Sequence, residues 1–211
     1  MADVTIIGAG HMASAIATRF VAGGVSVQIL APAAEHAISL ADELKNGSAA
    51  GAGMQEPLSG AVVVLAVPYP AALDLATTRS GELAGKVLVD ITNPVDWASF
   101  DRLVTPADAS AAEEIAQRAS RARVVKAFNT TFAPTVLAGT VAGQQVDVLL
   151  AGDDEDAKSR VAGLVTAGGL RPIDAGPLRR ARQLEQLGFL HMTLQQTLGS
   201  NHGSTIKIIT P

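Results

Sequence analysis

The sequence predicts an α/β fold of the Rossmann type: a doubly wound, mostly parallel sheet closed by a long C-terminal helix and a short terminal strand. Three observations carry that prediction. A short apolar strand runs straight into Gly8-Ala9-Gly10-His11-Met12-Ala13 and from there into a helix, the strand, glycine turn and helix that open a βαβ unit. Short runs rich in Val, Ile and Leu then alternate with helical stretches along the chain, as strands covered on both faces require. Finally, 48% of the residues are hydrophobic but only 3% are aromatic, so the core must be aliphatic.

The elements follow in order. Residues 3–7 form the first strand and 12–22 a helix with Ala13, Ile16, Ala17 and Phe20 on one face. Gly23-Gly24 ends it, and residues 25–30 form the second strand. A helix is predicted over 33–45 and a loop of small residues over 46–53. Buried strands follow at 61–67, stopped by Pro68 and Pro70, and at 86–92, stopped by Asn93-Pro94. Residues 97–106 read as irregular, 109–119 as a helix and 124–128 as a strand. Another strand covers 146–151, and the acidic run 153–156 suits the positive end of the next helix. After a strand at 171–174, Leu178, Ala181, Leu184, Leu187, Leu190, Leu194 and Leu198 recur every three or four residues, predicting one long amphipathic helix. The apolar segment 206–209 closes the chain and reads as a strand-pairing or homodimer contact.

With 211 residues, one domain is expected, with the sheet and its helices in 1–175 and the helix and tail in 176–211. The net charge of −4 argues against nucleic acid and anionic membranes as partners. No cysteine is present, which excludes disulfides, thiolate nucleophiles and cysteine metal sites. No His, Asp or Glu spacing suggests a metal site. No apolar run is long enough to span a bilayer, and no basic segment precedes an apolar one at the start, so a cytoplasmic location is expected.

The glycine loop carries the chemistry. Gly8 turns the chain sharply out of the strand, Gly10 lets a pyrophosphate approach the backbone, and Ala13 keeps the helix close to the sheet. The free N–H groups of the first helical turn then face the phosphates. A plain strand-to-helix turn is the alternative, but the position at the head of a βαβ unit favours a dinucleotide. Which dinucleotide is less evident. The second strand ends at Leu30-Ala31-Pro32, with no acid for the ribose hydroxyls of NAD. No Arg or Lys for a 2′-phosphate stands nearby before Lys45, although His36 and Ser39 offer hydrogen bonds. The missing acid favours NADP and leaves NAD open.

Taken together, Gly8 to Ala13, Leu65-Ala66-Val67-Pro68, Val89 to Pro94, Val125 to Thr130, and Gly176-Pro177-Leu178 leading to Arg182 and Glu185 resemble one family. It is the short oxidoreductases that include NADPH:deazaflavin (coenzyme F-420) oxidoreductase and the nucleotide-binding domain of the Steap metalloreductases. The resemblance implies that Ala66, Val67, Pro68 and Tyr69 line the nucleotide side of the sheet, and that Thr92, Asn93 and Pro94 pass close to the ribose and nicotinamide. It implies that Ala127 and Asn129 complete the cofactor site and that Asn129, Thr130 and Thr131 sit where hydride donor and acceptor meet. Where NADP-specific members carry Ser-Arg after the second strand, this chain has Ala31-Pro32. Archaeal deazaflavin enzymes tend to have histidine where Asn129 stands.

The expected activity is therefore NADPH-dependent hydride transfer to a small-molecule flavin or deazaflavin acceptor, which needs positioning more than side-chain chemistry. Two other readings remain open: reduction of a small carbonyl or imine, and non-catalytic nucleotide sensing. The four histidines, His11, His36, His191 and His202, are scattered in sequence. Two basic groups, Arg118, Arg121, Arg123 and Lys126, then Arg179, Arg180 and Arg182, read either as contacts for an acidic acceptor or as solvated helix faces.

Overall fold

The computed structural model describes residues 2–44 and 47–210. In chain order the elements are β1 (Val4–Ile7), α1 (His11–Ala22), β2 (Val27–Ala31), α2 (Ala34–Glu43), β3 (Ala49–Gly53) and β4 (Val62–Leu65). They continue with α3 (Tyr69–Thr78), α4 (Ser80–Leu83), β5 (Val87–Asp90), α5 (Ala111–Arg118), β6 (Arg123–Lys126) and α6 (Ala133–Ala138). A small hairpin of β7 (Thr140–Val141) and β8 (Gln144–Gln145) precedes β9 (Asp147–Gly152), α7 (Glu155–Ala167) and β10 (Arg171–Asp174). A 3-10 turn at Leu178–Arg180 leads into α8 (Ala181–Leu198). The end expected for the second helix at Lys45, and the loop start at Asn46, lie outside the described residues.

Eight strands form one sheet in the order β10-β9-β6-β5-β4-β1-β2-β3. All neighbours pair in parallel except β6 and β9, where Val125 faces Gly152 and Lys126 faces Ala151. β1 lies between β2 and β4, Ile6 being level with both Ile29 and Val64. This order reverses at β1, so the carboxyl ends of β1 and β4 open the crevice in which such sheets bind ligands.

Alternation along the strands divides the core into two layers. Ile6, Ile29, Val64 and Val89 pack with Ile16, Ala17 and Phe20 of α1 and with Val161 and Val165 of α7. Ile7, Leu30, Val63, Leu65 and Leu88 pack with Ala72 and Ala76 of α3 and Ile115 of α5. Phe20 meets Phe128 edge-on, with ring centroids 6.3 Å apart, among otherwise aliphatic neighbours. Helix starts follow local chemistry: Ser110 accepts from the Glu113 N–H at the head of α5, and Asp154 from the Ala157 N–H at the head of α7.

Three expectations are corrected. The stretch 46–53 includes an edge strand, β3, parallel to β2. It has no large apolar side chains because α2 lies directly on it: a Cβ on Gly51 would fall 2.1 Å from the Ala37 carbonyl oxygen. The long helix does form, but its apolar stripe is buried only in its first part, at Leu178, Ala181 and Leu184. Ala181, Leu184, Glu185, Gly188, His191 and Gln195 face the protein, while Leu190, Leu194 and Leu198 are exposed. The segment 206–209 forms no strand among the described residues. It is pinned by Asp147, which accepts from Lys207 Nζ (2.5 Å), the Ile208 N–H (2.8 Å) and Arg171 Nε (2.8 Å), while Arg171 also donates to the Ile208 carbonyl. No described helix is long and apolar enough to cross a membrane.

Candidate functional site

The carboxyl edge of the sheet begins with β1 delivering Gly8 at φ +122°, a conformation that an L-residue with a Cβ rarely adopts. A Cβ there would also lie 2.2 Å from the Ala66 carbonyl oxygen, so glycine is required on both counts. Gly10 caps α1 without a side chain, and a Cβ on it would meet nothing within 4 Å. The first turn of α1 contains no acidic residue. Free N–H groups, a positive helix end and open space in front of Gly10 together suit a pyrophosphate. Ala13 is fully buried against the sheet, as its packing role requires.

Two cavities meet at Gly10 and His11. One, of about 460 Å³, is lined by Ala9, Gly10, His11, Ser14, His36, Ser39, Leu40 and Glu43. The other, of about 400 Å³, brings together Met12, Ala66, Val67, Pro68, Tyr69, Ile91, Thr92, Asn93, Trp97 and Met192 with Gly10 and His11. Together they form a bipartite groove that matches a dinucleotide, with the phosphate loop at the junction. A larger cavity of about 510 Å³ involves Asp3, Ala61, Val62 and Arg160. It lies at the amino ends of β1 and β4, the wrong end of the sheet for a cofactor. His36 and Ser39 line the first of these cavities, and so does Glu43. Ala31 is buried and Pro32 exposed at the end of β2, and neither offers a donor for a 2′-phosphate.

The expected hydride-transfer residues sit deeper than expected. Asn129, Thr130 and Thr131 are all buried and line none of the cavities described above. Asn129 Nδ2 donates to Asn93 Oδ1 (3.0 Å) and to the Leu184 carbonyl (2.8 Å). Asn93 returns the contact by donating to the Asn129 carbonyl at 2.8 Å. Asn129 thus ties the loop after β5, which lines the groove, to the loop after β6 and to α8. Gly188 lets α8 come this close: a Cβ there would stand 2.7 Å from the Asn129 carbonyl oxygen. The Thr131 hydroxyl donates to the Phe128 carbonyl, bracing a turn in which Phe128 takes φ +61°. Ala127 is fully buried in the core beneath the site, and Pro94 accepts the Val104 N–H through its carbonyl. Among the described side chains, Thr92 Oγ1 and Asn129 Oδ1 are buried without a hydrogen-bond partner. Thr92 belongs to the groove wall, although its orphan hydroxyl oxygen is itself shielded from solvent.

Beneath Thr92 lies a charged cluster that sequence reasoning did not assemble. Lys126 Nζ, fully buried, donates to Asp90 Oδ2 (2.8 Å), Glu185 Oε1 (2.8 Å) and the Thr92 carbonyl (2.6 Å). Glu185 accepts the Ala111 and Ala112 N–H groups at the head of α5, and the Asp90 carboxylate accepts the Thr92 N–H. Burial acts to discharge Lys126, but Asp90 and Glu185 outweigh it and hold the ammonium above its ordinary value. Burial pushes Glu185 upward, with Lys126 acting against the shift. The cluster fixes the Thr92 backbone from three elements at once. Lys126 is therefore unavailable to an acidic acceptor, and Arg182 is engaged with Glu113 at 2.7 Å. The signal for it in the sequence is the pair Lys126 and Glu185, both of which stand in the segments that carry the family resemblance.

Tyr69, at the groove wall, donates to Glu114 at 2.8 Å; burial and that contact push its phenol upward, so it stays protonated. The histidines converge more than their sequence positions suggest. His11 shares a 410 Å³ cavity with His202 and Phe132, and the Phe132 ring lies 4.4 Å from His191 and 5.0 Å from His202. His191 itself is packed between the Thr130 carbonyl (3.2 Å) and the Ser204 hydroxyl (2.8 Å), and burial lowers its pKa. No described group of His, Asp and Glu could hold a metal ion.

Residues 3–94, from β1 through the Thr92-Asn93-Pro94 turn, match the family described as NADP oxidoreductase, coenzyme F420-dependent. The F420-dependent NADP reductase of Methanothermobacter marburgensis is 32% identical over 197 residues, covering 85% of this chain and 86% of that protein. Metalloreductase STEAP3 of Rattus norvegicus is 32% identical over 184 residues, or 87% of this chain, and the chain spans only 36% of that protein's length. An Arthrobacter sp. FB24 crystal structure, described as a candidate F420-dependent NADP reductase, superimposes with a TM-score of 0.83 over 100% of both chains at 25% identity. The match to the family over residues 3–94 and 32% identity over 86% of the length of an F420-dependent NADP reductase place this chain in the family of coenzyme F420-dependent NADP oxidoreductases.

Proposed function

We propose that the chain transfers hydride between NADP(H) and a flavin- or deazaflavin-type acceptor. The observation that carries this reading is the bipartite groove meeting at Gly10 and His11, with an adenosine-side half at His36 and Ser39 and an apolar half at Ala66 to Tyr69. The dinucleotide, when bound, supplies the hydride carrier. This chain's residues hold and orient it. The α1 N-terminus takes the pyrophosphate charge, and His36 and Ser39 offer hydrogen bonds where a 2′-phosphate would sit. Ala66, Val67 and Pro68 form an apolar wall that keeps water from the reacting edge. Thr92 offers the cofactor its unpaired hydroxyl once the side chain turns toward the groove, and Asn93 is held in one rotamer by Asn129. Asn129, Thr130 and Thr131 act as positioning residues through Asn93 and the turn after β6. Among the described residues, no Asp, Glu or Lys lines the apolar half, which suits a reaction governed by distance and orientation.

The test is anaerobic oxidation of NADPH, followed by its absorbance, with coenzyme F420, FMN and riboflavin offered in turn. Turnover with at least one, and tighter binding of NADPH than NADH, is expected. Turnover with none of the three, or turnover confined to small carbonyls or imines, refutes the proposal.

A further inference from the structure

The loop after β5 carries a feature that cofactor binding leaves unexplained. Trp97, the only tryptophan in the chain, lines the apolar half of the groove and yet is 68% exposed. It is not a loosely placed surface residue. Its ring centroid lies 5.8 Å from Phe100, which in turn meets Phe189 of α8 edge-on at 5.8 Å. The loop beneath is fastened across its base by Asp96 N–H to the Arg102 carbonyl (2.9 Å) and Val104 N–H to the Pro94 carbonyl (2.7 Å). Arg102 adds an ion pair to Asp96 at 3.1 Å. Phe100 takes φ +51°, a costly conformation for an aromatic residue. A strained, cross-braced loop thus holds an indole against the groove while leaving most of its surface bare. Met192 of α8 lines the same part of the groove, adding a polarisable thioether suited to aromatic partners.

We infer that Trp97 is the stacking platform for the planar ring system of the hydride acceptor. A small carbonyl or imine has no extended π-face and gains little from such a surface, whereas a fused ring gains both buried area and oriented stacking. The inference rests on the hydride-transfer reading above and adds to it the residue that positions the acceptor. Because the indole is exposed, replacing it leaves the core intact.

The emission of Trp97 is its own reporter. Riboflavin and 5-deazariboflavin are titrated into protein saturated with NADP⁺, with free N-acetyltryptophanamide as the control for light absorption by the titrant. Saturable quenching beyond that control is expected. In steady state, Trp97→Ala raises the acceptor KM about tenfold while Trp97→Phe stays within about threefold of the parent, and the NADPH Kd, read from dihydronicotinamide fluorescence, changes by much less than the acceptor KM in both, although Trp97 also borders the cofactor groove. An unchanged acceptor KM in Trp97→Ala, or loss of NADPH affinity in step with it, overturns the platform while leaving hydride transfer standing. So does emission that shifts with protein concentration without any acceptor, since the indole would then be covered by a second copy. Failure of the parent protein to bind or oxidise NADPH with any aromatic acceptor overturns both readings.

Discussion

Replacing Lys126 with Met tests whether the buried cluster beneath Thr92 is the support of the groove wall. The side chain is fully buried and makes three contacts of 2.6 to 2.8 Å with Asp90, Glu185 and the Thr92 carbonyl. At an effective dielectric constant of about 20, each charge contact represents about 6 kcal/mol of gross attraction, most of it offset by the desolvation of the ions. Removing the cation leaves two carboxylates and a carbonyl facing one another without compensation, and breaking such a pair costs about 3–5 kcal/mol. Against a domain stability of about 5–15 kcal/mol, that lowers the melting temperature by roughly 10 °C. Urea unfolding at neutral pH measures the loss. The double variant Lys126→Met with Glu185→Gln should recover part of it, because one buried charge is then removed along with its partner. The single variant should also recover as pH falls, since a Glu185 carboxyl already pushed upward by burial takes up a proton once its cation is gone. Lys126→Met within about 0.5 kcal/mol of the parent, or a double variant less stable than the single one, would refute this account.

Three further outcomes follow from the same geometry. Thr92→Val removes an unpaired buried hydroxyl at nearly constant volume, so the melting temperature of the free protein should hold or rise while NADPH affinity falls about tenfold; differential scanning fluorimetry with and without NADPH reads both. Gly188→Ala forces a Cβ to 2.7 Å from the Asn129 carbonyl oxygen, pushing α8 off the site, and should cost about 1–3 kcal/mol together with a fall in kcat. Burial works against the Asp147 charge, but Lys207, the Ile208 N–H and Arg171 outweigh it and hold the carboxyl below its ordinary value. Its contribution is therefore complete above the unfolded carboxylate pKa of about 4 and lost as pH falls through the lower folded value. Asp147→Asn should remove about 2 kcal/mol at neutral pH, less than the sum of its contacts because Arg171 is partly solvated. Amide exchange in residues 205–209 should rise in that variant at pH 7, and in the parent only in acid.

What could be read from the sequence alone was what is decided locally. Gly8 turns the chain out of β1 at φ +122° and Gly10 caps α1 two residues later, and Asp154 caps α7 from its own helix start. Apolar runs such as Val62–Leu65 become buried strands wherever they pair. The bipartite groove followed, because its walls stand at strand ends that the sequence marks with glycine, proline and asparagine. Tertiary structure decided the rest. Ala49–Gly53 lacks apolar side chains and looked like a loop; it is a strand because β2 supplies hydrogen bonds and α2 needs the space. The leucines of the long helix mark one stripe by spacing, but packing buries it only as far as Leu184 and then follows Gly188, since only a residue without a Cβ lets α8 reach Asn129. Lys126, Asp90 and Glu185 are separated by 36 and 59 residues, so no local pattern announces that they share one buried site. The dinucleotide loop is thus a property of a dozen consecutive residues, while the floor that holds its groove in shape exists only once three distant charges are desolvated together.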